Sequence, residues 1–162
     1  MDITTLTQEM IRFDAGDAKR IQHFIKVHSF AALIGRMEQL PEDTQLILEA
    51  AAVVHDIGIH AAEEKYGSTA GKYQEELGAP LAKDMLKKLG ADEAFAERAA
   101  YLVGHHHTYD KVDGIDYRIL LEADFLVNAY EDSLSADGIK AAQEKIFRTE
   151  SGKQILSEMF KF

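Results

Sequence analysis

Along most of this chain apolar residues recur every three or four positions, and strictly alternating apolar–polar runs are nearly absent. That spacing gives a helix one apolar stripe and suits strands poorly, so it predicts an all-α protein. A short first helix is expected over about 3–13. The segment DAKRIQHFIKVHSFAALIGRMEQL opens on Asp17 as an N-cap and carries Ile21, Phe24, Ile25, Ala32 and Gly35 at helical spacing. His28 falls on the same stripe, four residues after Phe24 and four before Ala32. PEDTQLILEAAAVVHD starts with proline and acids, as helices do, then turns apolar almost all round. It predicts the central buried helix, with Gly58 as its stop.

The polar stretch IHAAEEKYGSTAGKYQEE predicts a loop with a short helix, Ser68 being a candidate cap. APLAKDMLKKLG reads as an amphipathic helix closed by Gly90, and ADEAFAERAAYLVGHHH as a helix capped by Asp92 and ending in histidines. TYDKVDG is rich in turn formers, and the strongly apolar IDYRILLEADFLVNAYE is the next helix. Ser135 and Ser151 are candidate caps of two final helices over 135–162. With 162 residues and no linker, repeat or low-complexity segment, one domain over 1–162 is expected.

Composition narrows the chemistry. The chain has no cysteine, which excludes disulfides, thiolate metal sites and cysteine nucleophiles, so any metal must be held by His, Asp and Glu. A net charge of −10 argues against general nucleic-acid binding but not against a small phosphorylated substrate, because bound divalent ions reverse the local sign of an acidic pocket. No stretch approaches a membrane span, and MDITTLTQEM lacks the layout of a signal peptide. A soluble, cytoplasmic protein is the expectation.

Within this apolar frame, His28, the pair His55–Asp56, and Asp124 stand on three strongly apolar helices. A carboxylate at Asp124, among Leu120, Leu121, Phe125, Leu126 and Val127, is costly to bury unless it is paired or bound to a cation. If the three helices pack together, two imidazoles and two carboxylates converge, a set suited to a divalent ion. Adjacent residues point about 100° apart on a helix, so His55 and Asp56 share one site only near a helix end. Each residue alone has a plainer reading, as a satisfied core histidine, a helix-end pair or a cap.

The order His28, His55–Asp56, Asp124 resembles the H…HD…D signature of the HD-domain superfamily of metal-dependent phosphohydrolases. AAAVVHDIG is similar to the segment that names that family, LEADFLVN resembles its later AD helix, and the likeness covers roughly residues 20–130. The resemblance implies an all-α HD-domain bundle. It also implies one or two divalent ions on His28, His55, Asp56 and Asp124, and hydrolysis of phosphate esters.

The run GHHHTYDKVDG is similar to histidines that some HD families use for a second metal or for substrate. Three neighbours on a helix diverge, so His105 and His106 are the expected pair, while His107 meets a loop. Other positions depart from the family pattern. Gln74 or Glu75 stands where dinuclear members place a histidine, so Glu75, His105 and His106 are candidates for a second metal. No lysine closely follows HD in HDIGIH, which leaves Lys65, Lys72 and Arg118 as candidate phosphate contacts, each with an ordinary solvated cation as its plainer reading.

The expected activity is hydrolysis of a small phosphate ester, nucleotides among the candidates, by a metal-activated water. Asp56 would orient that water, and His105 or His106 would protonate the leaving oxygen. Fe, Mn, Zn, Co and Ni suit the nitrogen and oxygen donors, with Mg as a further candidate. The rival readings are a di-iron oxygenase on the same fold and a non-catalytic metal- or nucleotide-binding regulator. The closing ILSEMFKF carries an apolar stripe that can pack internally or in an oligomer, and the loop over 58–75 is placed to set substrate choice.

Overall fold

The computed structural model describes residues 1–161, and every regular element among them is a helix. They are α1 (Ile3–Phe13), α2 (Ala18–Met37), α3 (Glu42–Val54), α4 (Ile59–Tyr66), α5 (Gly71–Lys88), α6 (Glu93–Val103), α7 (Ile115–Glu131), α8 (Ala136–Ile146) and α9 (Glu150–Phe160). Phe162, the predicted end of the last helix, lies outside the described residues.

The apolar helix α3 is the hub, packed by α1, α2, α6 and α7. Leu48 and every residue from Ala50 to Val54 are fully buried, as its all-round apolar sequence requires. α5 and α6 pair as a hairpin, α2 lies between α3 and α7, and α9 closes on α2 and α7. One hydrophobic core joins residues from Leu6 to Leu156.

Side-chain caps start five of the helices. Asp17, Asp92 and Ser135 each accept a hydrogen bond from a first-turn backbone N–H, at Arg20, Phe95 and Gly138 respectively. Three expectations are corrected. Ser151 caps nothing; Thr149 caps α9, and the Ser151 hydroxyl donates to Glu38 instead (2.5 Å). Helix α5 begins at Gly71, before the predicted opening, and runs through Pro80. Ser68 accepts from Ala70 N–H in the turn ahead of it, and Ala70 is the N-cap. Pro80 removes one helical donor, but it sits on the exposed face, where water can take up the freed carbonyl.

Gly58 does not stop α3. That helix ends at Val54, and Gly58 opens α4 with an ordinary φ of −83°. Its role is close approach. A Cβ there would lie 2.6 Å from the Gln74 carbonyl oxygen and 2.7 Å from the Gly78 nitrogen, so the turn after α3 rests directly on the α5 backbone.

The C-terminal helices are held by a buried carboxylate. Glu122 accepts from Arg148 N–H (2.8 Å), Thr149 N–H (3.0 Å) and the Thr149 hydroxyl (2.5 Å). The glutamate of LEAD is thus an anchor for α9, while the aspartate two residues later faces His23 and His55.

Candidate metal centre

The chain between α3 and α4 turns tightly, with backbone bonds from Ile57 N–H to Val54 O and from Ile59 N–H to Asp56 O. Both span three residues, which winds the chain more tightly than an α-helix. At this helix end His55 and Asp56 serve one centre. The His55 ring donates Nδ1–H to the Ala52 carbonyl (2.7 Å), one of the carbonyls a helix C-terminus leaves free. That bond fixes the tautomer and leaves the Nε2 lone pair pointing inward.

His106 repeats the arrangement at the end of α6. Its Nδ1–H donates to Val103 O (2.6 Å), and its Nε2 is fully buried without a hydrogen-bond partner, 3.3 Å from Asp56 Oδ1. The third imidazole is His23, with Nδ1 on Glu131 Oε1 (2.6 Å). Its Nε2 lies 3.1 Å from His55 Nε2, 3.2 Å from Asp56 Oδ2 and 3.2 Å from Asp124 Oδ1. His55 Nε2 stands 3.3 Å from each of the same two carboxylate oxygens.

This arrangement fits a divalent cation. Two imidazoles whose Nδ1 atoms are donors bring their Nε2 atoms to 3.1 Å, where two lone pairs repel unless positive charge lies between them. His23 Nε2, His55 Nε2 and Asp56 Oδ2 form a triangle with edges of 3.1, 3.2 and 3.3 Å. Bonds of about 2.1 Å to an ion give edges of about 3.0 Å in an octahedron and about 3.4 Å in a tetrahedron. Asp124 adds a second carboxylate against the same two nitrogens.

Asp56 faces two groups at once, with Oδ2 toward His23 and His55 and Oδ1 toward His106. A second set able to hold an ion is Asp56, His106 and His107.

The electrostatics agree. Burial works against every charge here and is the largest influence on each, yet the partners overcome it. Asp124 and Asp56 raise His23 to about 9 and lift His55 well above its ordinary value. The imidazoles hold Asp56 and Asp124 well below the carboxylate range. His107 moves the other way, lowered to about 4 by burial and then by His106, and so is neutral at pH 7. The centre demands positive charge, as protons or as a metal ion.

His28 is not part of this cluster. Its Nε2 meets Glu49 Oε1 (2.9 Å), and Glu49 also accepts from Gln45 (2.8 Å) and Arg36 (3.3 Å). Helix α2 buries two stripes, one against α3 that carries His28 and one that presents His23 to α7. Both look alike in sequence; only the packing shows which one reaches Asp124.

Three further expectations change. His105 turns away: its Nδ1 bonds Tyr101 O (2.7 Å) and its ring stacks on Tyr101. His107, expected to meet a loop, instead joins the Asp56–His106 group. Glu75 anchors the chain after α6, accepting from His107 N–H (3.1 Å) and the Thr108 hydroxyl (2.9 Å). Gln74 does approach the site, accepting from His107 Nε2 (2.9 Å).

The candidate phosphate contacts do not line the cleft over the centre. Lys65 and Lys72 are exposed beside the stacked Tyr66 and Tyr73 rings, and Arg118 donates to Ile146 O (2.7 Å). The cleft has a volume of about 320 Å³ and is reached by Arg20, Ile59, Gln74, His107, Tyr109 and Asn128. Arg20 is its cation, and it also acts electrostatically on the Asp14 carboxyl. Its signal in sequence was available: Arg20 lies one turn before His23, on the same face of α2.

Beside the centre, His60 stands 3.5 Å from Asp14 and 3.2 Å from Asp17. Burial lifts the Asp14 carboxyl from 3.8 to about 6, against the pull of His60. A carboxyl raised on folding binds protons more tightly in the native state. It therefore supports folding below pH 4, and that support is lost as pH rises through 6. Asp14→Asn should flatten this part of the profile, gaining stability relative to wild type between pH 4.5 and 7 in urea unfolding. Equal pH dependence in both proteins would remove Asp14 as the cause.

The sequence model of the HD domain matches residues 20–147. The fold is similar to that of a predicted HD superfamily hydrolase from an uncultured Thermotogales bacterium, solved as a crystal structure. The TM-score is 0.67 at 24% identity, over 99% of this chain and 84% of that one. A search of curated proteins found no match. Among the described residues no helix is long and apolar enough to cross a membrane.

Proposed function

Because the chain belongs to the HD domain family, we propose that it is a metal-dependent hydrolase of small phosphate esters, nucleotides among them. The observation that carries this reading is the mutual approach of His23 Nε2, His55 Nε2 and Asp56 Oδ2 within 3.3 Å, with Asp124 Oδ1 set against the same two nitrogens. His23, His55, Asp56 and Asp124 would hold the first ion. Asp56, shared through its other oxygen, would hold a second with His106 and His107. The donor set suits Fe, Mn, Zn, Co or Ni, with Mg a weaker fit to imidazole nitrogen.

When bound, a divalent ion there supplies a water acidified toward neutrality and polarises a phosphoryl oxygen. The protein's own groups do the rest. Arg20, rather than Lys65, Lys72 or Arg118, offers a planar fork of donors to a phosphate seated over the centre. His106 is fully buried and His105 faces the other way, so neither reaches a leaving group. His107 is the histidine at the cleft. Its Nε2–H donates to Gln74, which leaves Nδ1 as the atom that would hold the second ion. Tyr109 and Asn128 also line the cleft and would meet other parts of the ester.

The test is a panel of phosphate esters assayed with added Mn²⁺, Co²⁺, Ni²⁺ and Mg²⁺. Phosphate release should depend on one or more of these ions. Arg20→Met should lower kcat/KM by about 10- to 100-fold, the worth of a charge-assisted hydrogen bond, with metal uptake unchanged. Arg20→Lys should recover only part of the loss. Tight nucleotide binding with no phosphate release under any ion would make the protein a regulator instead.

A further inference from the structure

Three imidazoles contact Asp56, and they are not held alike. His55 and His106 each give Nδ1–H to a backbone carbonyl at the end of their own helix. His23 alone gives it to a carboxylate, Glu131 Oε1 at 2.6 Å. The other oxygen of Glu131 accepts from Lys26 Nζ at 2.8 Å. Lys26 lies one turn after His23 on α2, and Glu131 lies two turns after Asp124 on α7. Helix α7 therefore grips both nitrogens of one ring, Asp124 at Nε2 and Glu131 at Nδ1.

We propose that Glu131, braced by Lys26, is a positioning residue that makes His23 the strongest nitrogen donor of the centre. This rests on the metal-centre reading above. A carboxylate on Nδ1–H fixes the tautomer that frees Nε2, holds the ring plane and feeds electron density to the ligating nitrogen. A neutral backbone carbonyl does the first two and less of the third. The clamp also needs its brace: without Lys26 the Glu131 side chain keeps one partner and gains freedom to swing toward water.

The experiment measures Co²⁺ dissociation constants by competition with a chromophoric chelator, together with the visible spectrum of the Co²⁺ protein. Glu131→Gln keeps an acceptor for Nδ1–H and loses the charge, while Glu131→Ala loses both. Both should weaken Co²⁺ binding, within the ~10- to 100-fold range of outer-shell changes and more for Ala than for Gln. Lys26→Met should fall between wild type and Glu131→Gln. The Co²⁺ spectrum should shift in the Glu131 variants, while the melting temperature without metal changes little; a merely structural residue would do the reverse.

Co²⁺ affinity within twofold of wild type in Glu131→Gln overturns the proposal, and that nearly isosteric variant decides the matter should Glu131→Ala fail to fold. A wild-type protein that takes up no Co²⁺, Mn²⁺ or Zn²⁺ would instead sink the metal centre itself.

Discussion

Asp56→Ala is expected to abolish metal uptake and metal-dependent turnover while leaving the far-ultraviolet circular dichroism nearly unchanged. Asp56 is the group that three imidazoles of the centre share: Oδ2 meets His23 at 3.2 Å and His55 at 3.3 Å, and Oδ1 meets His106 at 3.3 Å. Its loss removes a ligand from both candidate ion positions. Changes one shell further out cost about 10- to 100-fold in affinity, so losing this ligand should cost more than about 100-fold. The backbone has little reason to move, because Asp56 lies in the turn between α3 and α4 and its carbonyl still accepts from Ile59 N–H. Thermal denaturation gives a second readout. A divalent ion at 100 times its Kd stabilises the native protein by about 2.7 kcal/mol, and the variant should show no such gain. Wild-type turnover, or an undiminished metal-induced rise in melting temperature, would show that the centre lies elsewhere.

The second large effect is expected at Gly58. Replacing it with alanine puts a methyl group 2.6 Å from the Gln74 carbonyl oxygen, 2.7 Å from the Gly78 nitrogen and 2.9 Å from the Gly78 Cα. All three are backbone atoms of α5, so no side chain can rotate away and the helix itself must shift. Overpacking of this kind costs about 1–3 kcal/mol, or several degrees of melting temperature in a chain of this size. The shift acts on function as well, because α5 carries Gln74, the partner of His107, and the turn carries Asp56. Gly58→Ala should therefore lose both stability and metal affinity. Gly67→Ala, which strains a φ of +62° but meets nothing within 4 Å, should lose stability alone. Equal metal affinity in Gly58→Ala and wild type would separate the turn's packing from the centre.

Much of this architecture was legible in the residue pattern. The three-four spacing foretold an all-helical chain, the all-round apolar run foretold the buried hub α3, and Asp17, Asp92 and Ser135 marked helix starts. Those signals are local: a cap bonds the turn that follows it, and an apolar stripe needs only some surface to bury it. His55, Asp56 and Asp124 were legible because charge or imidazole in an apolar run is expensive without a partner. What tertiary structure decided was which partners meet. His23 and His28 both lie on buried stripes of α2, and their roles separate only because one stripe faces α7 and Asp124 while the other faces Glu49 on α3. His107 replaces His105 for a similar reason, since the direction of each ring depends on how the chain leaves α6. At Gly58 the sequence shows the missing side chain but not the neighbouring backbone it admits, so a helix stop and a close contact look alike there. Hydrophobic periodicity records that a face is covered; the identity of the covering surface comes from contacts between residues far apart in the chain.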